Sequence, residues 1–119
     1  MRLYIIRHGE TSWNKAKRLQ GRKDIMLDAD GIRLAEKTGE GMQDIDFDLV
    51  ISSPLIRAKQ TAELVLAGRQ IPMITDKRII EMSFGKWEGE SVRESTVLPA
   101  DYVDKFYHDP YHCPKAPGG

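Results

Sequence analysis

Cysteine is nearly missing: Cys113 stands alone in 119 residues. No internal disulfide can form, so stability rests on packing, and a single thiol fits a reducing compartment, making the cytoplasm the expected location. Long apolar runs are absent as well. The N-terminal stretch Leu3-Tyr4-Ile5-Ile6 ends at Arg7, far short of a membrane span or a signal-peptide core, and no membrane partner is expected. Net charge is also missing, with 18 basic side chains against 18 acidic ones, which excludes the basic field of a general nucleic-acid binder. There is no low-complexity tract and no internal repeat. What remains, 40% hydrophobic and 30% charged residues, is ordinary globular composition and excludes wholesale disorder. The length is near the commonest domain size and predicts one domain over 1–119.

The zero balance conceals two blocks of opposite sign. Residues 1–23 carry seven basic side chains (Arg2, Arg7, Lys15, Lys17, Arg18, Arg22, Lys23) against Glu10 alone, and residues 24–48 carry eight acidic ones against Arg33 and Lys37. The basic block suggests an anion site, with a solvated loop neutralised by the following helix as the plain alternative.

The order of elements predicts an α/β fold. Leu3–Ile6 reads as a buried parallel strand, and Asp28 can cap a helix from Ala29 to Met42 whose Gly39 and Gly41 weaken it. Residues 48–52 form the clearest strand. Ser53-Pro54 then supplies a cap and a first-turn proline for a helix reaching Ala67, with a buried stripe of Leu55, Ala58, Ala62 and Val65, and Gly68 stops it. Ile71–Thr75 is a third strand, Ser91 and Glu94 form a capping box that opens a short helix, and another helix runs from Pro99 to His108. Prolines 110, 114 and 117 leave the tail without a regular element. Alternating strands and helices of this kind build a parallel sheet with crossover helices.

In open α/β sheets, ligands bind beyond the carboxyl ends of the strands. Here those ends deliver Arg7-His8-Gly9-Glu10-Thr11, then Ser52-Ser53-Pro54 with Arg57, then Arg78 and Glu81. A histidine at a strand end can attack phosphorus when its imidazole is neutral, and neighbouring guanidinium groups favour that neutral form by like-charge repulsion. Arg7 and Arg57 match phosphate oxygens with planar forks and keep their charge through the reaction, so no metal and no cofactor is expected. Glu81 suits a general acid for a departing alkoxide. Asn14 offers a neutral donor, and backbone donors around Gln20-Gly21 offer further phosphate contacts.

Other chemistries fit less well. His108, His112 and Cys113 have metal-ligand spacing, but Pro110 breaks the helix that would align the histidines. No Gly-x-Ser-x-Gly elbow and no Gly-x-x-x-x-Gly-Lys loop occurs.

The segments 3–14, 20–31, 52–62 and 78–89 together resemble, in order, the motif blocks of the histidine phosphatase superfamily, which includes cofactor-dependent phosphoglycerate mutases. The first holds Leu3-Tyr4-Ile5-Ile6-Arg7-His8-Gly9-Glu10-Thr11, the third Ser52-Ser53-Pro54 with Arg57-Ala58-Lys59-Gln60-Thr61-Ala62, and the fourth Glu81 with Trp87-Glu88-Gly89. The resemblance implies a three-layer α/β/α sandwich with a mainly parallel sheet. It implies His8 as the transiently phosphorylated nucleophile, Arg7 and Arg57 as phosphate clamps, Asn14 as a further phosphate contact and Glu81 as the acid. Members carry a second catalytic histidine in a later Ser-His-Gly or Gly-His segment. His108 and His112 lack its flanking residues, so the chain resembles the first part of the family fold. The expected activity is hydrolysis of a small phosphomonoester. The alternatives are mutase action or phosphate binding without turnover. Residues 88–109 carry six acidic side chains against Arg93 and Lys105, unlike the basic stretch of a mutase. A sheet lacking its later strands also predicts self-association through an open edge.

Overall fold

The computed structural model describes all residues, 1–119. Five helical or strand elements carry the first part of the chain: α1 (Ser12–Lys15), α2 (Ala29–Gly41), β1 (Val50–Ser52), α3 (Ile56–Leu66) and β2 (Met73–Thr75). Short 3₁₀ turns follow at Lys77–Ile79 and Gly85–Trp87, then α4 (Tyr102–His108) and a last 3₁₀ turn, Pro110–His112. The class is the expected one, mixed helix and strand with parallel pairing: β1 lies parallel to β2 in the register Val50↔Met73, Ile51↔Ile74, Ser52↔Thr75. No helix is long and apolar enough to cross a membrane. The chain divides into two compact units, Met1–Ser12 with Asp24–Ile80, and Trp13–Lys23 with Glu81–Gly119.

In the first unit, the Asp28 carboxylate accepts a hydrogen bond from the Gly31 N–H at 2.8 Å, and this cap starts α2 where the sequence places it. Ala35 and Gly39 lie on its buried face. Gly39 does more than weaken the helix, because a Cβ there would sit 2.8 Å from the Leu64 carbonyl oxygen, so its bare backbone sets how closely α3 approaches. Leu27, Leu55, Val65 and Leu66 complete the apolar packing. Arg69 closes this end of the unit: its Nη1 donates to the Ile45 carbonyl at 2.8 Å and its guanidinium stacks on the Phe47 ring.

Four expectations need correction. Leu3–Ile6 is not a buried strand: the sheet contains only β1 and β2, and with no strand hydrogen-bonded to it the segment leaves Leu3 77% and Ile5 88% exposed. Apolar β-branched composition marks a chain suited to a sheet, but pairing makes the strand. Second, α3 starts at Ile56 with Leu55 at the cap position, and the Ser53 hydroxyl accepts the Leu55 N–H at 3.4 Å, one residue before the first helical N–H. Its first-turn Ile56 N–H instead donates to Asp24 at 2.7 Å, a partner 32 residues away that no local pattern reveals. The stripe it buries is Arg57, Thr61 and Val65, with Leu66, in place of Ala58 and Ala62. Third, Ser91 receives the Arg93 and Glu94 N–H groups in a turn and no helix opens there, because Ser91 is held in a bridge to Arg18.

The fourth correction concerns the tail, where Pro110–His112 form a 3₁₀ turn; the residues beyond it have no regular element, as expected, yet they pack. In the second unit Phe84, Trp87, Tyr102 and Ala116 form a core flanked by Leu19, Leu98, Val103, Phe106 and Cys113. Trp87 and Tyr102 meet edge to face with centroids 4.8 Å apart. The Lys86 N–H donates to the Pro117 carbonyl at 2.9 Å, which fastens the last residues to the turn that carries Trp87. Residues 17–19 run antiparallel to 89–92 through Gly89 N–H to Leu19 O, Leu19 N–H to Glu90 O and Val92 N–H to Lys17 O.

Candidate active site

The candidate residues fall into two groups by unit, with Arg7, His8 and Arg57 in the first and Asn14, Gln20, Gly21 and Glu81 in the second. His8 follows the extended N-terminal segment and is half-buried. Its Nδ1 lies 2.7 Å from the carbonyl oxygen of Gly9. A carbonyl can only accept, so Nδ1 carries the hydrogen, and in the neutral ring the lone pair belongs to Nε2. That is the tautomer a nucleophilic imidazole needs if Nε2 is to attack.

The loop after His8 is fixed on three sides. The Gly9 N–H donates to the Thr61 hydroxyl at 2.9 Å, and that hydroxyl donates to the Arg57 carbonyl, one helical turn back in α3, at 2.7 Å. The Asp28 N–H donates to the Glu10 carbonyl at 3.0 Å, and Thr11 bridges Leu27. The Gln60 side-chain oxygen accepts the Leu27 N–H at 2.8 Å. Backbone contact between the loop and the start of α2 is so close that a Cβ on Gly31 would lie 2.2 Å from the Glu10 carbonyl oxygen. Arg57 itself is 2% exposed, a buried guanidinium at the second position of α3, whereas Arg7 is exposed. Burial on this scale suits an arginine kept in one orientation more than a flexible surface cation.

In the second unit, Gln20 and Gly21 are buried and Asn14 is half-buried in α1. Glu81 is exposed, and its carboxylate accepts the N–H of Met82 at 2.8 Å. The segment that carries it is tied to the basic loop by Arg22, whose Nε donates to the Glu81 carbonyl at 3.0 Å. Glu88 supplies the remaining tether, because its Oε1 accepts the N–H of Arg22 at 2.9 Å and that of Phe84 at 3.1 Å. Asp76, which precedes Glu81, caps the Lys77–Ile79 turn and pairs with Arg78 at 2.6 Å. The side-chain hydrogen bond from Arg78 holds the Asp76 carboxyl below its ordinary range.

Sequence reasoning missed Thr61, Asp24 and Glu88 as holding groups. A signal for Thr61 was present: it lies four residues after Arg57 and so shares that residue's face of the helix. Asp24 and Glu88 act on distant backbone groups and leave no local signature.

Two clusters have metal-ligand character. Glu10, Asp28 and Asp30 bring carboxylate oxygens within 4.8 Å of one another. Asp28 already caps α2, and Asp30 is paired with Arg33. His108 and His112 do not share a helix, since α4 ends at His108 and Pro110 opens the next turn. Each histidine is bound to an aspartate through Nδ1, His108 to Asp104 at 3.0 Å and His112 to Asp109 at 2.9 Å.

Residues 3–119 match the model of the histidine phosphatase superfamily (branch 1). The chain is 39% identical over 103 residues to the Uncharacterized phosphatase PhoE of Bacillus subtilis, covering 87% of this chain and 52% of that one. It is 38% identical over 92 residues to the Probable phosphoglycerate mutase GpmB of Proteus mirabilis, covering 77% and 43%. Bacillus stearothermophilus YhfR superposes with a TM-score of 0.82 at 35% identity, over 88% of this chain and 52% of that one. A mutant phosphoserine phosphatase from Entamoeba histolytica, solved in complex with phosphoserine, superposes at 0.72 with 35% identity over 92% and 53%. The chain therefore spans about half the length of the curated relatives it matches. Its mixed α/β fold with parallel strands is the one found in phosphoglycerate mutase-like phosphatases. A match over nearly every residue, joined to this likeness of fold, establishes that the chain belongs to the histidine phosphatase superfamily, branch 1.

Proposed function

We propose that this chain carries the phosphoryl-accepting residues of a phosphomonoester hydrolase acting on a small phosphorylated substrate. The observation that carries the reading is the Nδ1–H of His8 on the Gly9 carbonyl, which assigns the lone pair to Nε2. In the first step Nε2 attacks phosphorus, the P–N bond forms, the P–O bond to the substrate alcohol breaks, and Glu81 gives its proton to the departing oxygen. Arg7 and Arg57 hold the phosphoryl oxygens and balance the charge that gathers on them, with Asn14 and the backbone around Gln20-Gly21 as added donors. Water then attacks the phosphohistidine and gives its proton to the Glu81 carboxylate, the P–N bond breaks, and phosphate leaves with neutral His8 and protonated Glu81 restored. The relatives named phosphatases support hydrolysis, and the complex with phosphoserine supports a small phosphomonoester as the substrate class. Mutase action, supported by the relative named phosphoglycerate mutase, would send the phosphoryl group to a second substrate hydroxyl instead of water.

Incubation with a radiolabelled phosphomonoester, followed by acid and base treatment, tests the reading. An acid-labile, base-stable label that His8→Ala abolishes is the expected result. Label that survives His8→Ala, or no label on the wild-type chain, overturns it. Release of inorganic phosphate separates hydrolysis from isomerised substrate.

A further inference from the structure

We infer that Thr61 is a positioning residue that holds the His8 imidazole in its nucleophilic tautomer and in register with Arg57. The inference rests on the role proposed for His8. One hydroxyl sits between the two elements: it donates to the Arg57 carbonyl at 2.7 Å, so its lone pair faces the Gly9 N–H, which donates to it at 2.9 Å. Thr61 is 6% exposed, so water does not readily take either partner's place.

The consequence reaches the imidazole through one peptide group. His8 Nδ1 donates to the carbonyl of Gly9, which belongs to the peptide between Gly9 and Glu10. That peptide is bracketed by two pinned neighbours, the Gly9 N–H on Thr61 before it and the Glu10 carbonyl on the Asp28 N–H after it. Residue 9 has no side chain to restrict it, so these anchors and the close approach of Gly31 and Leu27 help set its φ and ψ. Without the Thr61 hydroxyl the leading anchor is gone, the Gly9 carbonyl can turn away from Nδ1, and the balance between the two tautomers shifts toward the Nε2–H form. The same loss uncouples the loop from the turn of α3 that bears Arg57.

Long-range proton–nitrogen spectra of the full chain, labelled with ¹⁵N-histidine and assigned with His8→Gln, read the tautomer directly. The wild type should show His8 protonated at Nδ1. Thr61→Val should move it toward the Nε2–H form, and Thr61→Ser should restore the wild-type pattern. Rates of His8 phosphorylation should fall by on the order of tenfold to a hundredfold in Thr61→Val, with little change in KM. An unchanged His8 tautomer in folded Thr61→Val, or its loss in Thr61→Ser, overturns the inference. If Thr61→Val does not fold, the wild-type Gly9 amide decides: protection from hydrogen exchange supports the anchor, and exchange at the rate of a solvent-exposed amide rejects it. The spectra need no turnover, so a chain that forms no phosphohistidine overturns the proposed function while leaving this readout intact.

Discussion

Around His8, the groups that hold the loop are uncharged: main-chain amides and carbonyls, the Thr61 hydroxyl and the Gln60 amide oxygen. Around Glu81, the corresponding work falls to charged side chains, with one oxygen of Glu88 accepting two amides and Arg22 holding the Glu81 carbonyl. The difference follows from burial. The first unit seats His8 against tightly approaching backbone, where an uncompensated charge would be costly, while Glu81 and Arg22 are exposed and Glu88, only half-buried, keeps part of its hydration. On the proposed function, a firmly held His8 and a more loosely held Glu81 would suit their tasks, since attack on phosphorus demands tighter geometry than proton delivery.

Removing the second unit's aromatic anchor should have the largest effect. Trp87→Ala should cost about 3–5 kcal/mol locally, and hydrogen exchange should show lost protection around Tyr102 and Phe84 while α2 and α3 keep theirs. Equal loss in both units would mean that they unfold as one block and that the contrast has no energetic basis. Next in size is Glu88→Ala, which leaves the Arg22 and Phe84 amides without their carboxylate and should cost about 1–3 kcal/mol in denaturant titration. On the proposed function, it should slow turnover of alkyl phosphates more than that of aryl phosphates, because only a basic leaving oxygen needs a general acid. Equal slowing would detach Glu88 from the acid segment.

Two glycines of one helix sharpen the reading of the first unit. Gly39→Ala drives a methyl group into the Leu64 and Val65 carbonyls and should destabilise by about 1–3 kcal/mol. Gly41→Ala meets open space near the helix end and should stabilise by up to about 1 kcal/mol. Thermal melts of the pair would show opposite shifts, and a shift of the same sign for both would remove close helix approach as the cause. The smallest effect is a pH dependence. Burial raises the Tyr102 phenol above its ordinary value, with a nearby Cys113 charge adding to the rise. A raised acid favours the folded state below the unfolded tyrosine pKa, and that contribution is lost as pH climbs through the folded value. Tyr102→Phe should therefore flatten the alkaline limb of the stability curve, and an unchanged limb would assign that limb to other groups.

Local chemistry was the legible part of the sequence. The Asp28 cap, the extent of α2, the parallel pairing of residues 50–52 with 73–75 and the placing of Arg57 at the start of α3 all follow from spacing and residue type. Long-range partners were not legible. Asp24 caps α3 across 32 residues, and Glu88 reaches Arg22 across 66, distances at which no periodicity survives. The Leu3–Ile6 segment failed as a strand for a related reason, because composition cannot supply the neighbour a strand requires. Among the site residues, His8 and Arg57 stood out by type, whereas Thr61 was marked only by its place four residues after Arg57.

The near contact between Gly31 and Glu10 has a bearing on how such a sequence can drift. The obstacle to any side chain at position 31 is main chain, so no compensating change of a neighbouring residue can clear it. Where side chains collide, a lineage can repack stepwise through smaller partners; here each step meets the same carbonyl. The start of α2 and the loop behind His8 are therefore expected to change together or not at all. A saturation library at position 31 should return glycine almost alone, while one at the open Gly41 should accept many residues.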